Sequence, residues 1–191
     1  MKRALSITRR FLRSANLVRD RQSDSGLEGY VVTASVRQAL ARLGQGLSGS
    51  RNDRAFTLTG PYGSGKSSFA LFLFHLLRNR NGSAWNLLRK ADPPLADEFR
   101  TTVWPKRFPE GYACLVATAA SRQSVPELLA DAVDSHSGKT PRSVFALSSQ
   151  LRAARDARDV LRLVEEIAKD FRKAGHAGVL FLVDEFGRVF E

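Results

Sequence analysis

The segment GPYGSGKSS, residues 60–68, combines residue types and a spacing that suit the binding of phosphate groups. Gly60, Gly65, Lys66 and Ser67 match the pattern G-x-x-x-x-G-K-S/T in register. Glycines allow backbone N–H groups to wrap around phosphate oxygens without clashes from Cβ atoms. A lysine at this position reaches the β- and γ-phosphates of a nucleotide, and the serine hydroxyl binds Mg²⁺. The segment therefore predicts a nucleotide phosphate site with a bound magnesium ion.

We call residues 60–68 the phosphate loop and expect all nine to contact or shape the bound nucleotide. They are Gly60, Pro61, Tyr62, Gly63, Ser64, Gly65, Lys66, Ser67 and Ser68. The alternative is a Gly-Ser turn that carries a lysine by accident. That alternative explains the composition of the segment, but it does not explain the register of the match.

Two adjacent acids, Asp184 and Glu185, follow the apolar run VLFLV at residues 179–183. In parallel α/β sheets, ligands bind beyond the carboxyl ends of the strands, so Ser67 and Asp184 are expected on one rim. Asp184 is expected to hold the hydration shell of Mg²⁺. Glu185 is expected to polarise a water for attack on the γ-phosphate. We therefore predict catalytic roles for Glu185 and Lys66 and metal roles for Ser67 and Asp184, against the alternative of a solvated strand end.

Short apolar segments alternate with helical patterns along the chain, and these elements position the motifs. The predicted strands cover residues 55–59, 112–118 and 179–183. The predicted helices cover residues 35–47 with Ser35 as N-cap, the run from Ser64 through FALFLFHLLRNR, a segment opened by Ser124-Val125-Pro126-Glu127, and about Asp156 to Lys173. Residues 79–109 contain several prolines and are predicted to be irregular. Buried strands that alternate with helices predict an α/β protein with a parallel sheet covered on both faces.

The length and composition limit the kinds of protein to which this chain can belong. With 191 residues, of which 43% are hydrophobic, the chain has the size of one globular domain and contains no apolar run as long as the ~18 residues that cross a membrane. Cys114 is the one cysteine, so the chain forms no internal disulfide, which is typical of a reducing cytoplasm. We therefore expect a cytoplasmic protein that uses Cys114 as a small buried side chain.

The net charge of +11 is concentrated near the N-terminus, where residues 1–22 carry seven Lys and Arg residues against Asp20 alone. We divide the chain into a basic arm at residues 1–26 and a nucleotide-binding domain at residues 27–191. The arm is expected to dock on DNA phosphates or on an acidic protein partner. A solvated surface and an organellar transit peptide are alternatives, whereas an export signal is excluded because no continuous apolar core follows the arginine pair.

The two motifs GPYGSGKSS and LFLVDEFG resemble those of P-loop ATPases that carry an added strand and a glutamate after the Walker B aspartate. This group contains the AAA+ and STAND proteins. The sequences of both motifs are also similar to those of large ATPases of bacterial defence systems. The resemblance covers residues 30–190 loosely and implies a three-layer P-loop NTPase fold with a parallel sheet. It assigns phosphate roles to Gly60, Gly63, Gly65 and Lys66, metal roles to Ser67 and Asp184, and the base role to Glu185.

The chain also departs from this group. Such domains continue after the acids with two further strands, a sensor residue and a helical lid, whereas six residues follow Glu185 here. The resemblance therefore implies a C-terminally incomplete, N-terminal piece of a longer ATPase. In this group a later strand lies between the P-loop strand and the Walker B strand. We therefore expect these two strands in one parallel sheet, either with an open lane between them or drawn together to fill it, and negligible turnover by the isolated chain.

The function implied by these features is binding of ATP and Mg²⁺ with hydrolysis that drives action on DNA or on a protein partner, in a monomer or a homo-oligomer. The alternative is a nucleotide-gated switch or scaffold with little turnover.

Overall fold

The computed structural model describes residues 17–22, 24–49, 53–136 and 138–191. The helices are α1 (Leu17–Asp20), α2 (Ala34–Ser48), α3 (Lys66–Arg78), α4 (Ser83–Ala91), α5 (Pro93–Val103), α6 (Val125–Asp134), α7 (Arg142–Ala153) and α8 (Ala157–Lys173). The strands are β1 (Tyr112–Thr118) and β2 (Gly178–Asp184). Short 3₁₀ turns cover Asp24–Leu27 and Phe186–Phe190. The described chain is therefore a mixed α/β structure that is mostly helical.

The sheet consists of β1 and β2, which pair in parallel with Tyr112 opposite Gly178 and Thr118 opposite Asp184. Helices pack on both faces of this sheet. On one face, Cys114 and Val116 join a core built mainly from α2, α3, α4 and α5. On the other face, Ala113, Leu115 and Ala117 join a core built from α6, α7 and α8. The alternating side chains of β1 therefore belong to two separate hydrophobic clusters, as expected for a strand covered on both sides.

The predicted strand at residues 55–59 is wrong. The structure contains no strand between residues 53 and 60, and the side chains of Phe56 and Leu58 are 37% and 47% exposed. A strand requires a neighbour that satisfies its backbone N–H and C=O groups, and no described strand lies beside this segment. The expectation that residues 55–59 and β2 share one sheet is therefore also wrong for the described residues.

The region predicted to be irregular, residues 79–109, contains α4 and α5. Asp92 caps α5, because its Oδ1 accepts a hydrogen bond from the Leu95 amide at 3.1 Å. The Pro93-Pro94 pair occupies the first positions of this helix, where the missing amide hydrogens cost nothing. The prolines thus begin a helix rather than prevent one. Helix α7, which follows Pro141, was also missed.

The helix starts show where a short sequence pattern was enough to predict the N-cap residue. The helix predicted to open at Ser124 exists as α6, and Ser124 and Glu127 form a capping box there, with the side chain of each bonded to the backbone of the other. The predicted helix at residues 35–47 exists, but its N-cap is Thr33 rather than Ser35, since Thr33 Oγ1 accepts from the Val36 amide. Both Ser and Thr are good N-caps, so two candidates in one segment leave the first turn undetermined.

Most of the basic arm, residues 1–16, lies outside the described residues. Leu17, which the sequence analysis assigned to the arm, is fully buried in the same core as α2 and α3. Cys114 is also buried, and burial raises the pKa of its thiol to about 12, which agrees with a packing role. None of the described helices combines the length and the apolar character needed to cross a membrane.

Candidate active site

The phosphate loop leads directly into α3, which begins at Lys66. Gly63 and Gly65 have φ angles of 79° and 86°, in the left-handed region that glycine adopts without strain. No other atoms lie within 4 Å of a Cβ built at either glycine, so the backbone conformation, rather than lack of space, selects glycine there. Gly65 provides no side-chain cap, and the first N–H groups of α3 therefore point to the rim without a side-chain acceptor. This end of α3 has the polarity that binds anions.

Lys66 folds its ammonium group over the phosphate loop. Its Nζ donates to the carbonyl oxygens of Gly60 at 2.8 Å and Pro61 at 2.9 Å, and to Ser64 Oγ at 3.4 Å. These three acceptors match the three donors of an ammonium group. The loop's own oxygens thus place the positive charge beside the glycines, where a phosphate would compete for the same donors.

Ser67 and Asp184 meet at the rim, as the sequence predicts. Ser67 Oγ donates to Asp184 Oδ1 at 3.1 Å, although the two residues lie 117 positions apart in the chain. The same oxygen, Oδ1, accepts the Glu185 amide at 3.0 Å. The first turn of α3 and the end of β2 are therefore in direct contact through the two residues assigned to the metal.

A hydroxyl and a carboxylate are oxygen donors of the kind that Mg²⁺ prefers. Within the described ranges, no group of three or more His, Cys, Asp and Glu side chains is arranged to hold a metal. Mg²⁺ sites in nucleotide-binding proteins use one or two protein ligands and complete the shell with water and phosphate oxygens. The pair formed by Ser67 and Asp184 fits that type of site.

Glu185 is next to this pair but has a different partner. Its Oε2 lies 2.9 Å from Arg188 Nε, and about half of each side chain is exposed. Glu185 also has φ 54° and ψ 31°, a left-handed backbone conformation that is uncommon for residues other than glycine. The carboxylates of Asp184 and Glu185 therefore diverge, one toward α3 and the other toward Arg188. The sequence analysis did not identify Arg188, although acid–base pairs at i,i+3 spacing often interact in helical turns.

The loop after β1 borders the same rim and was also missed. Thr118 lies opposite Asp184 in the sheet register, and the Ala119 amide donates to the Asp184 carbonyl at 2.9 Å. Ser121 Oγ donates to Glu191 Oε2 at 3.2 Å. Small and polar residues directly after a buried strand were the available signal, because carboxyl ends of parallel strands share one edge. This loop therefore fixes the segment that follows β2.

The remaining residues of the phosphate loop have different environments. Tyr62 is 88% exposed, whereas Ser68 lies partly buried in the first turn of α3.

Comparisons with protein-family models, curated proteins and solved structures found no match. The interpretation of the site therefore depends on the sequence motifs and on the geometry described above.

Proposed function

We propose that this chain binds ATP with Mg²⁺ and forms the nucleotide-binding part of a P-loop ATPase. The observation that carries the proposal is the 3.1 Å hydrogen bond between Ser67 Oγ and Asp184 Oδ1. A phosphate-binding loop needs a metal-binding hydroxyl at its end, and a strand that ends in an aspartate must place the carboxylate beside it. Two motifs that are distant in sequence meet as this chemistry requires.

In this proposal the phosphates of ATP bind at the N-terminal end of α3. The first turn of α3 has no side-chain cap, so its backbone N–H groups could bind phosphate oxygens, and the helix dipole favours negative charge there. The Lys66 ammonium would exchange the carbonyls of Gly60 and Pro61 for β- and γ-phosphate oxygens. Ser67 Oγ and Asp184 would hold Mg²⁺, which neutralises charge on the β- and γ-phosphates when it is bound.

The hydrolytic step is assigned to Glu185. Its carboxylate lies one residue beyond the metal-binding Asp184 and is partly exposed, so water reaches it. General-base catalysis of this kind accelerates a reaction by about 10²–10⁴-fold. A protein that only binds nucleotide has no need of such a base.

The wider architecture is proposed from the resemblance. The described sheet has two parallel strands with helices on both faces, which is compatible with part of a three-layer P-loop NTPase fold of the AAA+ and STAND-like group. In this proposal a further strand occupies the open edge of β2, and ATP hydrolysis drives action on DNA or on a protein partner. The basic residues near the N-terminus supply the positive charge that a DNA contact needs.

A nucleotide-gated switch is the second candidate, and one observation favours it. The Lys66 ammonium and the Glu185 carboxylate are both held by groups of the chain itself, namely the loop carbonyls and Arg188. Nucleotide binding would release Lys66 from these contacts and so change the conformation of the phosphate loop without the need for turnover.

Substitution of Glu185 by Gln separates the two candidates. Glu185→Gln should lower ATP turnover by about 10²–10⁴-fold, because the amide keeps the shape but loses the base. The ATP dissociation constant should stay unchanged. Glu165→Gln, an exposed acid on α8, is the matched control and should keep the parental rate. A Glu185→Gln variant that hydrolyses ATP at the parental rate would refute the base, and a parent that binds ATP without turnover would favour the switch.

A further inference from the structure

The segment after β2, residues 185–191, is fixed to the rim at both ends, and we call it the rim turn. At its start, the Glu185 amide bonds to Asp184 Oδ1, which also accepts from Ser67. At its end, Glu191 Oε2 accepts from Ser121 Oγ in the loop after β1. Between them, the Arg188 amide donates to the Glu185 carbonyl at 2.9 Å. These contacts hold the turn that carries Arg188 next to the rim with Ser67 and Asp184.

The backbone conformation of Glu185 is the second observation that bears on the role of this residue. Its φ of 54° lies in a region that Gly, Asn and Asp adopt more readily than Glu. The rim turn nevertheless has a glutamate at this position, although a smaller residue would form the turn with less strain. Strained backbone of this kind is concentrated at functional sites. The choice of residue therefore points to a requirement for the longer carboxylate and not to a requirement of the turn.

The contact between Glu185 and Arg188 uses only part of the carboxylate's capacity. Arg188 Nε lies 2.9 Å from Oε2, and no hydrogen bond from a described residue reaches Oε1. An ionised carboxylate has two oxygens, so a cation on one of them fixes the orientation and leaves the other as an acceptor. A base that is oriented by a third group is the usual arrangement in sites that activate a nucleophile.

We propose that Arg188 is a positioning residue, which orients Glu185 so that Oε1 accepts a proton from the attacking water. The inference rests on the proposed ATPase function. In the step that it serves, an O–H bond of water breaks and its proton passes to Glu185 Oε1. The water oxygen forms a bond to the γ-phosphorus while the bond from that phosphorus to the ADP oxygen breaks, and the proton then leaves Glu185 to the released phosphate. Arg188 itself exchanges no proton, because a guanidinium stays charged.

The test measures kcat and KM for ATP in the parent protein and in the variants Arg188→Ala, Arg188→Lys and Arg162→Ala. Arg162 pairs with Glu166 at 3.0 Å on the surface of α8 and supplies a matched exposed ion pair away from the rim. Arg188→Ala should lower kcat by about two- to fivefold, the size expected for loss of one partly exposed ion pair, with KM unchanged. Arg188→Lys should retain most of the parental kcat, and Arg162→Ala should leave both constants unchanged.

A double variant separates positioning from a general structural role. In a Glu185→Gln background, Arg188→Ala should cause no further loss, because the group that it orients is already gone. An equal loss in both backgrounds would overturn the inference, and so would a parental or raised kcat in Arg188→Ala alone. Failure of the proposed function gives a different result, namely a parent whose turnover does not depend on Glu185 or is absent.

Discussion

The two strands of the sheet have similar apolar sequences and different surroundings. In β1, Leu115 and Val116 are fully buried, whereas the residues of β2 from Val179 to Asp184 are only partly buried. The far edge of β1 is covered, since Ser135 Oγ donates to the Val116 carbonyl at 2.7 Å and α1 packs against the strand. No described strand pairs with the far edge of β2. An apolar run thus predicts a strand, but its burial depends on both neighbours.

The segment before the phosphate loop extends this comparison. Residues 55–59 have the same β-prone character as β1, yet they are exposed and pair with no described strand. The rim that carries Ser67 and Asp184 therefore combines a fully packed part of the fold, β1 with α6–α8, and less well packed parts, residues 53–60 and β2. Local contacts such as the bond between Ser67 and Asp184 hold the rim together even though the sheet is narrow.

Truncation of a leucine in each strand is the strongest way to test the comparison. Leu115→Ala should lower the free energy of unfolding by about 2–5 kcal/mol, because it leaves a cavity in a fully buried cluster. The matched change Leu182→Ala in the half-buried β2 should cost about 1–2 kcal/mol, because less apolar surface returns to water. Urea denaturation of both variants measures the difference. Equal losses at the two sites would show that β2 is as well packed in solution as β1.

Acid should lower the stability of the core built on β1 and α6–α8, because two buried or partly buried histidines lie in it. His136 and His176 both contact the ring of Phe171 edge-on, with centroids 5.3 Å apart. Burial, together with the nearby charges of His176, Arg78 and Arg21, lowers the pKa of His136 from 6.5 to about 4. Burial also lowers the pKa of His176. The unfolded chain therefore takes up protons below pH 6.5 that the folded chain refuses, so stability is complete above pH 6.5 and falls as the pH drops toward 4.

Between pH 7 and pH 5 the expected loss is on the order of 1–2 kcal/mol, allowing for solvent screening of partly exposed groups. Denaturation midpoints in this range measure it, while carboxylates with ordinary pKa values remain ionised. His136→Gln keeps a polar group for Thr140 Oγ1, which lies 2.9 Å from His136 Nδ1, and should flatten the pH dependence. An unchanged slope in that variant would assign the acid sensitivity to other groups.

The smallest effect is expected in front of the phosphate loop. Leu58 is 47% exposed and belongs to neither hydrophobic cluster, so Leu58→Ala should change the unfolding free energy by less than about 0.5 kcal/mol. The same urea experiment as for Leu115 measures it. A loss as large as that of Leu182→Ala would mean that residues 55–59 are packed against a partner strand in solution.

The sequence was sufficient to predict features that depend on neighbouring residues or on a recognisable motif. The helix start at Ser124 and Glu127 depends on four consecutive residues, and the meeting of Ser67 and Asp184 was predicted from the two motifs, although the described residues lack the strand expected before the phosphate loop. It was insufficient where the outcome depends on distant partners. The β-prone residues 55–59 lack a neighbouring strand, and the helices at residues 83–103 depend on the burial of Trp85 and Phe99, which the prolines obscured.

Arg188 illustrates the same limit at the site itself. Many arginines are present in the sequence, and only the fold of the rim turn shows which of them contacts Glu185.

A titration of the 191-residue chain with ATP and Mg²⁺ tests the central claim most directly. The parent should bind, and Lys66→Ala should weaken the affinity by about 10- to 100-fold, because it removes charge-assisted hydrogen bonds to the phosphates. Lys90→Ala, which removes an exposed lysine from α4, should leave the affinity unchanged. Equal affinity of the parent and Lys66→Ala, or a parent that fails to bind ATP, would contradict the assignment of residues 60–68 as a nucleotide phosphate site.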